Sequence, residues 1–332
     1  MNLITPTPRT THLGFPINAT TPTAPQQVQS VSNPPAREFG IQDVSMCGDV
    51  NEVMQRIGIV GDYVKENIDH VCRGYSLIRD DRGTPLSIVN SSWDLLQPVE
   101  TFAFLDALKT QLDFKYTRAG FTHNGNQLFI EAKMGVMEVK PRHEWQVGDI
   151  IEKRICARTS FGYPAIATKL LEELYRLWCK NGCGRWVKAD ADATNISVRH
   201  TRNQRTIIGE QIDRATGIKN VFQNLSTDIN KLAHTPCTRA QFELINNLVT
   251  PQDTTRGDNV RAVIADQFHN EELGTFGATA WDAFNAFTAY QNHYRVARNT
   301  KTATSTENRH HAINNQSFVR KVRHAINDVV FV

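Results

Sequence analysis

The central part of the chain alternates apolar and polar residues with the period of two that is typical of β-strands. The pattern runs through LDFKYTRAGF from Leu112, and then through QLFIEAKMGVMEV and GDIIEKRICARTSF. Successive side chains of a strand point to opposite faces, so each run predicts a strand with one apolar and one polar face. Asn124-Gly125 lies between the first two runs, and Asp80 to Gly83 lies within YSLIRDDRGTPLSIVN. Both stretches predict the turns of hairpins.

Apolar residues recur at helical spacing before this strand-rich block, from Val53 to Ile68 and again in VETFAFLDALKTQ. The segment PAIATKLLEELYRLWCKNG has a proline near its start and Gly182 at its end, which predicts a long amphipathic helix packed on the sheet. The chain beyond Gln204 is predicted to be mostly helical. We therefore predict an α+β fold, in which an antiparallel sheet of hairpins is followed by a long amphipathic helix and a helical C-terminal half.

One helical segment, TAWDAFNAFTAYQNH from Thr279 to His293, carries aromatic residues at every third position. The aromatic band is too broad for a solvated helix face, so we expect these side chains to fill the core. Polar residues such as Asp282 and Asn285 lie beside the band. We expect them to find hydrogen-bond partners inside the protein, because an unpaired buried polar group is costly.

Composition changes at both ends of the chain and indicates a single domain between two arms. Residues 1–37 contain seven of the thirteen prolines, two arginines and no acid. From Arg295 to His324 there are seven Lys or Arg residues and one acid, Glu307. We predict a disordered Pro/Thr-rich arm over 1–38, a core domain over 39–295 and a basic C-terminal tail over 296–332.

The bulk composition argues against several classes of protein. No apolar run approaches the ~20 residues that a membrane span needs. The six cysteines are scattered, which is unlike a secreted disulfide scaffold. The N-terminus lacks the apolar core of a signal peptide. We therefore expect a cytoplasmic protein that does not contact a membrane.

Basic residues on the polar face of the predicted strands, and in the segment RHTRNQR, could bind a phosphate backbone. Tyr116, Phe121 and Trp145 are candidates for stacking on bases. Acidic residues such as Glu131 and Glu152 interleave with the strand bases, so an ordinary solvated sheet face is the alternative interpretation. The predicted nucleic-acid-binding residues are Lys115, Arg118, Lys133, Arg154, Arg158, Arg199, His200, Arg202 and Arg205.

Several segments, in order, resemble the phage- and plasmid-borne family named domain of unknown function 932. They are LIRDDRGTPLSIV, LLQPVETFAFLDAL, LFIEAKM with GDI downstream, TSFGYPAI, LWCKNGC, ISVRHTRN and AWDAFNAFTAYQNH. The resemblance spans roughly residues 75–293 and implies a product of a mobile element. The predicted order of three antiparallel strands and a long helix is also similar to phage single-strand annealing proteins of the Erf and Red-beta type. That similarity implies a ring or filament on single-stranded DNA.

We therefore expect a homo-oligomer that binds and anneals single-stranded DNA in phage or plasmid recombination or replication. Annealing needs neither ATP nor a cofactor, metal or catalytic residue, and the sequence contains no phosphate-binding loop. A second hypothesis is a metal-dependent nuclease that uses Glu131 and Lys133, with Asp113 as its other acid. A third is a phage protein that binds a host protein and no nucleic acid. Zinc is not favoured, because Cys179 and Cys183 lack a clear second ligand pair.

Overall fold

The fold is described for ten segments of the chain. The computed structural model describes residues 40–122, 125–141, 148–162, 167–176, 182–184, 196–215, 217–251, 254–269, 277–295 and 317–331. The predicted N-terminal arm, 1–38, and residues 296–316 of the predicted tail lie outside these ranges.

Among the described residues, antiparallel strands dominate up to residue 198, and helices dominate from residue 204 onwards. The strands are β1 Gly40–Asp43, β2 Val64–Asn67, β3 Tyr75–Arg79, β4 Pro85–Asn90, β5 Lys115–Thr122, β6 Gln127–Val139, β7 Asp149–Ser160, β8 Thr168–Arg176, β9 Gly182–Gly184 and β10 Ile196–Val198. The helices are α1 Val50–Arg56, α2 Pro98–Phe102, α3 Phe104–Leu112, α4 Gln204–Ala215, α5 Ile218–His234, α6 Arg239–Val249, α7 Thr255–His269, α8 Ala280–Ala289 and α9 Ser317–Val330. The α+β class and the helical C-terminal half are therefore confirmed.

Seven of the strands form one large sheet in the order β1-β5-β6-β7-β8-β10, with β9 paired to β8. Strands β2, β3 and β4 form a second, smaller sheet. The predicted hairpins are present as β3–β4 and β5–β6. Gly125 has a φ of 82°, as the predicted turn requires, and Asn124 lies outside the described residues. Strand β1 approaches β5 so closely that a Cβ on Gly120 would lie 1.9 Å from the carbonyl oxygen of Gly40.

The prediction of a helix over residues 164–182 is wrong, because its described part forms strand β8. Eight consecutive residues, Lys169 to Arg176, pair with β7. The leucines and glutamates of this segment favour a helix locally, but pairing along β7 overrides a propensity of this size. Leu170, Glu172 and Leu174 lie on one face and are buried, and the alternate residues lie on the other. The long amphipathic helix that follows the sheet is instead α5.

The predicted helix from Val53 to Ile68 is also shorter than expected. Helix α1 begins after Asp49, whose side chain accepts a hydrogen bond from the Glu52 backbone N–H at 2.9 Å. It ends at Arg56, because Gly58 adopts a φ of 81°, which no helix accommodates. The remainder of the predicted helix leads into β2.

A single hydrophobic core joins one face of the large sheet to helices α3, α5, α8 and α9. As expected, the aromatic residues of α8 fill this core, with Trp281, Phe284 and Phe287 no more than 1% exposed. The indole Nε1 of Trp281 lies 3.4 Å from Oδ2 of Asp149 on β7. The carboxylate of Asp282 caps its own helix by accepting from the Thr279 backbone N–H at 2.9 Å. A π-helical turn, Tyr290–Tyr294, continues the helix.

Helix α9 lies within the segment that the sequence assigned to a basic tail. Its apolar face, which includes Val319, Val322 and Ile326, is buried in the core, and it packs on α6 and α8. Val329, Val330 and Phe331 fold back onto the same core. The packed domain therefore extends past residue 295. No helix in the described part of the chain has both the length and the apolar character to cross a membrane.

Replacing Ile326 with alanine should destabilise the protein by about 2–5 kcal/mol, because the change leaves a cavity in the core. Urea unfolding monitored by circular dichroism measures the loss. The matched control is Arg320→Ala on the exposed side of α9, which should change the free energy of unfolding by less than about 0.5 kcal/mol. Equal effects of the two changes would contradict the packing of this helix.

Candidate nucleic-acid interface

The middle of the face of the large sheet opposite the core carries six basic and three acidic side chains around one tyrosine. Two further acids, Asp43 of β1 and Glu138 of β6, lie towards the margins of the same face. We call the middle of this face the charged face. Its position follows from strand alternation, because Ile151, Ile155 and Ala157 of β7 lie in the core and the residues between them point away from it. The charged face comprises Lys115, Arg118, Glu131, Lys133, Glu152, Arg154, Arg158, Lys169, Glu173 and Tyr175.

Three cations lie directly opposite one another across neighbouring strands of this face. Lys115 of β5 pairs in register with Lys133 of β6, and Lys133 pairs with Arg154 of β7. Like charges at directly opposed positions repel, so this row destabilises the sheet unless anions lie nearby. Glu173 of β8 stands opposite Arg154 and ends the row.

The centre of the charged face is a compensated ion cluster. The fully buried Oε2 of Glu131 accepts from Nη2 of Arg118 at 2.7 Å and lies 3.6 Å from Nη1 of Arg154. Nε of Arg154 donates to Glu152 at 2.8 Å, and Nζ of Lys133 donates to the other oxygen of Glu152 at 2.7 Å. The three cations of the cluster therefore share two carboxylates, which leaves a formal excess of one positive charge.

The ring of Tyr175 covers the same cluster. The guanidinium carbon of Arg154 lies 3.8 Å from the ring centroid, and that of Arg118 lies 5.9 Å away. Both separations are within the range in which a cation is attracted to an aromatic face. The arginines of the cluster are thus held in place by carboxylates and by an aromatic ring.

The geometry of the cluster shifts the pKa of the Glu152 carboxyl. Burial raises this pKa, but the hydrogen bonds from Lys133 and Arg154, together with their charges, outweigh the burial. The net pKa lies below its usual 4.5. Glu152 therefore stabilises the folded state in its ionised form.

Three bases of the charged face have no acidic partner in the described part of the chain. Lys115 is exposed at the start of β5. Arg158 and Lys169 lie opposite each other on β7 and β8. Arg158 is only 6% exposed, and burial lowers its pKa to about 10. Burial, followed by the charge of Arg158, also lowers the pKa of Lys169.

The residues of the predicted loop RHTRNQR have different surroundings. Arg199 and Arg202 are exposed, and neither has an acidic partner in the described segments. The ring of His200 is instead buried against Trp93, with centroids 4.6 Å apart, and its Nε2 lies 3.4 Å from Oγ1 of Thr159. Arg205 forms an exposed ion pair with Glu100 of α2 at 3.1 Å.

The structure therefore brings some of the predicted residues together and separates others. Arg118, Lys133 and Arg154 form the cluster, and Lys115 joins their row. Arg158 lies four residues along β7 from Arg154, or about 13 Å at the usual rise of a strand. The loop cations follow β10, beyond β8. These positions form a compensated centre with unpaired cations around it.

Three residues of the charged face were missed because they lie on β8, which the sequence predicted to be helical. They are Lys169, Glu173 and Tyr175, and the alternation of Lys169, Leu171, Glu173 and Tyr175 is the signal that identifies them. Two of the predicted stacking residues lie on the opposite face. Tyr116 and Phe121 are in the core, and the hydroxyl of Tyr116 donates to Asp106 at 2.7 Å. The third, Trp145, lies outside the described residues.

The residues of the nuclease hypothesis are not arranged as a metal site. Glu131 accepts from a guanidinium, and Lys133 donates to Glu152. Asp113 ends α3 with a φ of 50°, so it does not lie on a strand. Within the described ranges, no three His, Cys, Asp or Glu residues are grouped so that they could hold a metal ion. Cys179 lies outside those ranges.

Comparison with known proteins identifies a family. The family described as Domain of unknown function (DUF932) matches residues 85–314 of the chain, which is more than half of its length. No curated protein and no solved structure matches the chain.

Replacing Glu131 with glutamine should destabilise the protein by about 3–5 kcal/mol, because it leaves the partly buried charges of Arg118 and Arg154 without this carboxylate. Equilibrium unfolding in urea measures the change. The control is Glu243→Gln, which removes the exposed partner of Arg239 on α6 and should cost less than about 1 kcal/mol. A small effect at both positions would show that the cluster does not stabilise the fold.

The stabilising effect of Glu152 should depend on pH in a defined direction. Its folded-state pKa lies below 4.5, so its contribution is fully present above pH 4.5 and is lost as the pH falls through the lower folded-state value. The difference in unfolding free energy between the wild type and Glu152→Gln should therefore shrink as the pH falls from 7 towards 3. Urea titrations over this range test it, and a difference that stays constant or grows would contradict the ion pairing.

Proposed function

The chain belongs to the DUF932 family, whose description gives no activity, and from the geometry of its charged face we propose that it binds and anneals single-stranded DNA. The observation that carries the proposal is the row Lys115–Lys133–Arg154, in which three cations face one another across adjacent strands. Glu152 pairs with Lys133 and Arg154, whereas Lys115 has no acidic partner in the described residues. A polyanion laid across the row therefore gains the attraction of Lys115 and of the excess positive charge of the cluster.

The cations with the greatest exposure define where the backbone of a strand would lie. Lys115 is exposed, and the side chains of Lys133 and Arg118 are 38% and 29% exposed. Arg199 and Arg202 lie beyond β8, four strand positions from β5. Four strand spacings of about 4.8 Å separate the two groups by about 19 Å across the sheet. The five-residue offset between Glu173 and Thr168 on β8 separates them by about 16 Å along the strands, and a short stretch of single strand spans this diagonal. We expect the strand to cross the sheet from the Lys115 row to the Arg199 loop.

Annealing requires that the protein hold the sugar-phosphate backbone and leave the base edges available for pairing. Lysine and arginine side chains contact phosphates without reading the sequence of bases. The ring of Tyr175 lies against Arg154 and Arg118 and so supports phosphate contacts rather than base stacking. The ring of Phe129, on the same face, is only 2% exposed. This arrangement favours sequence-independent binding.

The proposal includes a homo-oligomer that acts in the cytoplasm without ATP, in the recombination or replication of a phage or plasmid. This part keeps an expectation drawn from the sequence and adds no residue to the site. The described part of 164–182 forms strand β8 instead of the long helix on which the resemblance to phage annealing proteins was based, so that resemblance does not support it. A nuclease is less well supported, because Glu131 is held by arginines. A host-binding protein without nucleic-acid affinity remains the other outcome of the tests.

The double variant Lys115→Gln/Lys133→Gln should bind a fluorescent single-stranded oligonucleotide more weakly than the wild type. Fluorescence anisotropy across a series of salt concentrations measures this. Each lost phosphate contact should reduce the slope of log affinity against log salt by about 0.7, so the slope should fall by about 1.4. Arg239→Gln, an exposed arginine on α6, is the control and should leave the slope unchanged.

Annealing itself can be followed with complementary oligonucleotides that carry a fluorophore and a quencher. The wild type should accelerate pairing without ATP or Mg²⁺, and light scattering should show a particle larger than one chain. Loss of substrate that requires Mg²⁺ and disappears in Lys133→Ala would support the nuclease instead. Absence of oligonucleotide binding at low salt would exclude both activities and favour the interaction protein.

A further inference from the structure

Arg158 and Lys169 form a pair of adjacent cations at a part of the charged face that the ion cluster does not reach. Their Cα atoms are directly opposite each other on β7 and β8. Arg158 is 94% buried, since only 6% of its surface is exposed, and its Nε has no hydrogen-bond partner. Neither residue forms an ion pair within the part of the chain that the structure describes.

Such a pair is unfavourable in the protein without a ligand. Burial removes the water that would solvate a guanidinium, and a second cation on the next strand adds repulsion. Burial lowers the pKa of Arg158, and burial followed by the charge of Arg158 lowers the pKa of Lys169. The thiol of Cys156, two residues earlier on β7, raises the pKa of Arg158 by less than burial lowers it. Arg158 still carries its charge at neutral pH.

The neighbours of the pair make this part of the face suited to one compact anion. Phe129 stands opposite Arg158 in the register of β6 and is 2% exposed. Leu171 follows Lys169 on the same face of β8 and is 9% exposed. Ser197 of β10 stands opposite Lys169 and is exposed. Buried apolar groups beside a charged pair reduce screening by water, so an anion there interacts strongly with both cations.

We propose that Arg158 and Lys169 form a binding site for a single phosphate group. A guanidinium presents two parallel N–H donors that match two oxygens of a phosphate, and a lysine ammonium adds a compact charge. The site does not depend on the DNA-binding proposal, because Arg158 is too buried to belong to an open surface. A terminal phosphate or free inorganic phosphate can enter where an internal phosphodiester of an extended strand cannot.

Thermal unfolding with inorganic phosphate as the probe tests the site. The melting temperature of the wild type should rise in proportion to the logarithm of the phosphate concentration, compared with sodium chloride at equal ionic strength. Arg158→Met should have a higher melting temperature than the wild type without phosphate, because it removes a buried charge, and it should not respond to phosphate. Lys169→Gln should weaken the response, and it serves as the second variant if Arg158→Met does not fold.

The control variant is Arg239→Met, which makes the same substitution on exposed α6 and should retain the full response to phosphate. The proposal is overturned if phosphate raises the melting temperature no more than chloride does, or if Arg158→Met and Lys169→Gln both respond like the wild type. The two possible sources of the phosphate are the end of a nucleic-acid strand and free inorganic phosphate. To distinguish them, the melting temperature is measured with a short oligonucleotide that has a 5′-phosphate and with its 5′-hydroxyl form. A greater effect of the phosphorylated form identifies a strand end as the ligand, and equal effects identify free phosphate.

The outcomes for this site and for DNA annealing are distinguishable. A response to phosphate without oligonucleotide binding would support the site and contradict the annealing proposal. If oligonucleotide binding requires Lys115 and Lys133 and the protein does not respond to phosphate, the annealing proposal is supported and the phosphate site is contradicted.

Discussion

The fully buried carboxylate of Glu131, held between Arg118 and Arg154, is the interaction on which the charged face depends. Each central strand of the large sheet must satisfy two different requirements at its alternate positions. Apolar side chains meet the requirement on the core side, where Ile130 of β6 lies. On the other side, three neighbouring cations would separate the strands if no anion lay among them. Glu131 and Glu152 supply the two negative charges that allow the cations to remain close together.

This compensation gives the face two classes of cation with different roles. Arg154 is fixed by carboxylates and by the ring of Tyr175, so a ligand gains little from it directly. Lys115, Arg158 and Lys169 lack such partners in the described residues, and an incoming anion gains their full attraction. Selectivity for a ligand then depends on access, because Lys115 is exposed and Arg158 is nearly enclosed. The same sheet thus offers an open contact for a polymer and an enclosed one for a small group.

The sequence predicted those elements in which local preference and tertiary packing agree. Local preference and tertiary packing favour the same structure for three such features. They are the alternation in β6 and β7, the turn at Gly125 and the aromatic face of α8. Strand β8 was missed because its leucines and glutamates favour a helix, and because burial of both faces hides the period of two. Predicted bases such as Lys133 and Arg154 were located on the correct face. Their pairing with Glu152 depends on which strands are neighbours and in what register, and composition does not determine this.

The ends of the large sheet restrict how copies of the chain can associate. Strand β1 has four residues and covers β5, and its close approach requires the absence of a side chain at Gly120. Strand β10 has three residues, and it is the last strand on the opposite side in the described part of the chain. Borders this short provide few unpaired backbone groups for a neighbouring subunit. The described edges of the large sheet therefore favour a ring or filament built through helices and side chains over one that extends this sheet from one subunit into the next.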